Sequence, residues 1–188
     1  MRPGPPSSHR RRRIPEDGTL EVFGADEQTA EPVDVARWTR LAEQVLEARD
    51  VRGEAELSLL FVTEEAMTDL NQRFMDTPGP TDVLAFPLDD DFVELSRFPD
   101  PTTTGPDRAS PDPADAPLLL GDVVICPAVA ARNGPDHAGT YDDEIALLVV
   151  HGILHVLGMD HAEPEAEAAM QAAERDLLAR FHQPSLEP

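Results

Sequence analysis

His151-Gly152-Ile153-Leu154-His155-Val156-Leu157-Gly158-Met159-Asp160-His161 is the stretch from which the rest of the chain can be read. It closes a long apolar run, Asp142 to Leu157, that reads as a helix at the centre of the domain. His151 and His155 are four residues apart. On a helix that spacing turns the chain by about 400°, so both imidazoles lie on one face, one turn apart. Gly158 follows three residues later and accepts the left-handed conformation that ends a helix and turns the chain back. The reversal predicts that His161 returns to the same point as a third ligand. Three neutral imidazoles with the fourth position open make a catalytic zinc arrangement. Nickel, copper and iron also suit imidazole donors. The other histidines, His9, His137 and His182, lie in loop or terminal contexts and read as solvated, without a role.

The same histidine spacing occurs in zinc peptidases of the form H-E-x-x-H-x-x-G-x-x-H, where the Glu is the general base. Here that position is Gly152, which has no proton acceptor, so peptide hydrolysis is disfavoured.

Working outward, the chain alternates strands and helices. Thr19 to Phe23, Glu54 to Val62, Asp82 to Pro87 and Leu118 to Ile125 read as strands. Val33 to Arg49 and Glu64 to Phe74 read as helices, the first capped by Asp34 or a neighbour and the second by Thr63. Pro127 to Gly134 is a short helix with Pro at its first position, and Glu163 to Phe181 a final amphipathic one. This predicts an α+β fold: one domain, a small mixed four-stranded sheet packed by about five helices, with the metal site on a central helix.

Charge divides the chain unevenly. There are 37 Asp and Glu against 15 basic residues, all Arg, for a net charge of −22. Such a surface excludes a binder that coats nucleic acid by charge alone, and a polybasic membrane-surface protein. Residues 1–18 form a basic extension with Arg10 to Arg13, and no apolar stretch follows that would make a signal peptide. Residues 88–117 carry eight acids, two Arg and six Pro, and read as an acidic, Pro-rich loop insertion. The domain proper then spans 19–182, with 183–188 as a tail. One cysteine, Cys126, permits no internal disulfide and fits a reducing compartment; a soluble cytoplasmic protein is expected. Cys126 itself ends an apolar strand and reads as a small buried residue.

The pattern H-G-x-L-H-x-x-G-x-D-H resembles the YbeY family of bacterial rRNA maturation factors, proposed metal-dependent endoribonucleases. Two further blocks agree: Leu70-Asn71 with Pro80-Thr81-Asp82-Val83-Leu84-Ala85-Phe86-Pro87, and Gly121-Asp122-Val123-Val124-Ile125-Cys126. The resemblance implies a zinc-dependent, single-strand endoribonuclease acting in 16S rRNA 3′-end maturation and ribosome assembly. It implies His151, His155 and His161 as ligands. The implied partners are rRNA and the small ribosomal subunit, with a ribosomal protein or assembly GTPase, and neither membrane nor DNA. Asp160, before the last ligand, is the catalytic candidate, since a neighbouring carboxylate can orient a ligand or contact water; it reads equally as a turn cap. The family block carries an Arg after its aromatic residue, implicated in RNA cleavage; here Phe74 is followed by Met75. Arg73 is then the RNA-binding candidate, although a helical shift of two residues turns it about 160° away. Met75 keeps open a non-catalytic assembly factor with a structural zinc. Glu144 reads as a helix N-terminal acid that favours the dipole, or as a group behind a ligand. Thr81-Asp82 reads as a turn or as a border of the cleft.

Overall fold

A computed structural model of the chain describes residues 19–88, 117–159 and 163–182. The predicted extension 1–18, nearly all of the 88–117 insertion, and the tail 183–188 lie outside the described residues.

Alternation sets the sheet. In β2 (Ala55–Phe61), Ala55, Leu57, Leu59 and Phe61 are buried while Glu56 is exposed, because successive side chains point to opposite faces. Strands β1 (Leu20–Asp26) and β4 (Leu118–Ile125) pair with β2 in parallel, and β3 (Val83–Pro87) pairs antiparallel with β4. The order is β1-β2-β4-β3. Residues 89–116 therefore join two adjacent antiparallel strands, with Pro87 opposite Gly121.

Five helices complete the described residues: α1 (Val35–Ala48), α2 (Glu64–Met75), α3 (Pro127–Asn133), α4 (Tyr141–Val156) and α5 (Pro164–Phe181). The α+β class, the mixed four-stranded sheet and the central helix are all as the sequence predicts. Asp34 and Thr63 cap α1 and α2, accepting from the backbone N–H groups of Arg37 and Ala66. One face of the sheet packs against α1 and α4, with Trp38, Leu46, Phe61, Ile145 and Ile153 at the centre. The other face holds a smaller cluster, Met67 of α2 with Val62, Leu84 and Val124. No helix among the described residues is long and apolar enough to cross a membrane.

Candidate metal centre

Helix α4 lies directly on β4. A Cβ at Gly152 would sit 2.5 Å from Val123 Cγ1, closer than side-chain atoms can approach. The position that carries the base in the peptidases is therefore turned into the core here, and only the lack of a side chain lets the helix seat. The opposite side of the same turn carries His151 and His155. The helix ends as predicted: Gly158 has φ 84°, its N–H donates to His155 O, and the N–H of Met159 donates to Leu154 O.

The two imidazoles meet edge to face, with ring centroids 4.6 Å apart. Their Nε2 atoms lie 3.1 Å from each other. Two nitrogens bound tetrahedrally to zinc at about 2.0–2.1 Å stand about 3.3 Å apart, so the observed spacing fits one ion between them. On its other side His151 places Nδ1 2.7 Å from Glu174 Oε1 of α5. A carboxylate there accepts a hydrogen bond from Nδ1–H, fixes the ring and leaves Nε2 as a lone-pair donor. Nickel, copper and iron would be accepted by the same nitrogens. Asp160 and the third predicted ligand, His161, lie outside the described residues. Among the described residues no group of three or more His, Cys, Asp or Glu is placed to hold a metal.

Beside the pair opens a cavity of about 470 Å³, lined among others by Asp82, His137, Leu147, His151, Met170 and Glu174. Asp82 borders the cleft and also serves its own turn: it accepts from the N–H of Val83 and from Asn133 Nδ2. Sequence reasoning missed Glu174. Its one available signal was a carboxylate beside the apolar stripe Met170, Ala173 and Leu177, one turn beyond Met170.

The acids that open α4 are each engaged. Asp142 pairs with Arg37. Asp143 takes hydrogen bonds from Thr140 and from His182, whose Nε2 lies 2.7 Å from Asp143 Oδ1. Burial raises the Asp143 carboxyl, but the bonds from Thr140 and His182 outweigh it and hold the group below the usual carboxylate range. Glu144 is completely buried and faces His137 Nδ1 at 3.0 and 3.1 Å. It lies in the first turn of the helix, as expected. One expectation needs correction: His182 is buried against Trp38 and Asp143, because the end of α5 folds onto the start of α4. His137 is exposed, as expected, and its Nδ1 also meets Glu144, because the turn after α3 returns to α4. His9 lies outside the described residues.

Arg73 is not brought to the histidine cavity. It stacks over Phe74, 5.3 Å from the ring centroid, and lines a groove with Met75, Phe86 and Leu88 on the α2 side of the sheet. Met75 is exposed in the same groove. Cys126 is buried as predicted, and burial pushes its thiol up.

Residues 24–182 match the family described as Endoribonuclease YbeY. A protein of that description from Mycolicibacterium vanbaalenii is 44% identical over 166 residues, covering 87% of this chain and 80% of the relative. Another, from Thermobifida fusca, is 47% identical over 148 residues, covering 79% of this chain and 86% of the relative. A solution structure from Thermotoga maritima aligns with 90% of this chain and all of its own, at 20% identity and a TM-score of 0.49. On the strength of the sequence match, the chain belongs to the endoribonuclease YbeY family.

Proposed function

We propose that this protein is a zinc-dependent endoribonuclease that cuts single-stranded RNA, acting in 16S rRNA 3′-end maturation and ribosome assembly. The reading rests on one observation above the others: two imidazole Nε2 atoms 3.1 Å apart, one of the rings braced by Glu174, in a chain of this family. His151 and His155 would hold the ion, with His161 as the third ligand. Zinc held there would supply Lewis acidity for a phosphoryl oxygen and for water near neutral pH.

The protein's own residues do the rest. Glu174 keeps His151 in the tautomer that can donate its lone pair. Asp82, fixed by Asn133 and its own turn, marks the wall of the cavity against which a substrate must lie. The net charge of −22 disfavours tight nonspecific binding to RNA. It suits an encounter guided by the small ribosomal subunit, with a ribosomal protein or an assembly GTPase as guide, in the cytoplasm.

The test is cleavage of a single-stranded rRNA fragment by the purified protein, with and without prior chelation. Cleavage that is lost on chelation and returns with zinc is expected. Cleavage that survives full removal of metal would overturn the metal reading. Met75, at the family's Arg position, favours a second reading: a non-catalytic assembly factor with a structural zinc. Metal-bound protein that sediments with small subunits but cuts no RNA would favour it. Peptide turnover is not expected, because position 152 lies against Val123 and offers no base.

A further inference from the structure

Glu144 presents a problem that the metal pair does not solve. Its carboxylate is completely buried in the first turn of α4. A buried carboxylate is costly unless it is hydrogen-bonded or neutralised. Among the described residues the side chain that meets it is His137, with Nδ1 at 3.1 and 3.0 Å from the two oxygens. The histidine itself is not buried: its side chain is 63% exposed. It lines the same cavity as His151 and Glu174. A residue present only to neutralise Glu144 would gain by being enclosed with it. Instead one ring nitrogen is committed to a buried carboxylate and the ring is presented to the cavity.

That arrangement is how a histidine is prepared for proton transfer. A carboxylate on Nδ1 fixes the tautomer and the ring plane, leaves Nε2 outward, and stabilises the charge that the ring carries. The backbone is held as well. The N–H of His137 and the N–H of Gly139 both donate to Gly134 O, and the N–H of Glu144 donates to Thr140 O. The cavity around the ring also presents Asp82 from the start of β3, His151 from α4, and Glu167 and Glu174 from α5.

We propose that His137 is a catalytic residue of this cavity, giving a proton from Nε2 to the ribose oxygen that leaves phosphorus, and that buried Glu144 is its positioning residue. This rests on the endoribonuclease reading above. In the step, a bond forms from the oxygen of water to phosphorus and the bond from phosphorus to the leaving ribose oxygen breaks. That oxygen takes the Nε2 proton of His137. The water gives up one proton to solvent, and His137 regains one from solvent.

The experiment follows single-turnover cleavage of an unstructured RNA from pH 5 to pH 9, with metal content measured in each protein. The proteins are the wild type, His137→Gln and Glu144→Gln. A proton donor must be protonated, so its contribution falls as pH rises. His137→Gln should keep its metal and lose about 10²–10⁴-fold in rate, together with any alkaline decline that the donor causes. Glu144→Gln should keep the ring, lose less, and shift that decline. A His137→Gln protein that cleaves within threefold of wild type, with the same pH profile, overturns the proposal. Should the metal-loaded wild type cut no RNA, the endoribonuclease reading fails, and His137 is judged separately by NMR. A ring signal of His137 that moves when a uridine dinucleotide is added, more than those of His182, supports its place in the cavity. A signal that does not move overturns it.

Discussion

At its N-terminal end α4 supplies carboxylates and the rest of the chain supplies cations and imidazoles: Asp142 meets Arg37, Asp143 meets His182 and Glu144 meets His137. Two to three turns further on the roles reverse. The helix supplies His151 and His155, and α5 supplies the carboxylate of Glu174. The two ends differ in what they bring together. At the first, acids sit where the helix dipole favours them, and each meets an opposite or donating group. At the second, two Nε2 atoms face each other at 3.1 Å, a distance at which a proton or a cation must lie between them. The first end therefore fastens the helix to α1, α5 and the turn before it. The second carries the two nitrogens that we propose as ligands.

Replacing ligands should separate the two ends most sharply. His155→Ala should lose bound metal and with it RNA cleavage, while the fold, fastened at the other end, keeps its circular dichroism. Metal retained at full stoichiometry in that variant would contradict the assignment. Next in size is Gly152→Glu, which forces a carboxylate against Val123. Overpacking and burial of an unpaired charge should cost about 3 kcal/mol or more, read as a lower urea midpoint. A soluble variant of unchanged midpoint would mean that α4 does not seat on β4 as described. Glu174→Gln keeps the shape but removes the charge behind His151, and should weaken metal affinity about 10–100-fold, measured by competition with a chromogenic chelator.

The smallest effect belongs to the fastening end. Asp143 has its folded ionisation held below the usual carboxylate value, so its contribution is present above that usual value, about 4, and is lost as pH falls through the lower folded one. Asp143→Asn should therefore cost about 1 kcal/mol at pH 7. The difference from wild type should shrink as the pH drops below about 4. A difference that instead grows toward acid would reverse the sign and remove His182–Asp143 as a stabilising pair.

The elements were legible because apolar periodicity survives in nearly every one. Leu57, Leu59 and Phe61 alternate, and Trp38, Leu41, Val45 and Leu46 follow a helical turn. β1 runs three residues past the predicted end at Phe23, since Gly24 has no side chain to continue the pattern while its backbone still pairs with Leu59. The juxtaposition of His151 and His155 was legible because both residues belong to one helix, where spacing is geometry. Glu174 and the contacts of His137 and His182 were not. They depend on α5 and the α3–α4 turn folding onto α4, contacts 7 to 39 residues apart in the chain. Local sequence carries no record of such a distance: an acid or histidine on a solvated face looks the same as one on a packed face.

The central claim is that His151 and His155 share an ion. Its most direct test is elemental analysis of the purified full chain, joined to X-ray absorption at the edge of whatever metal is found. One zinc per chain with a shell of histidine nitrogens near 2.0–2.1 Å is the predicted result. Protein that is metal-free as purified and takes up no zinc when it is offered would contradict the account.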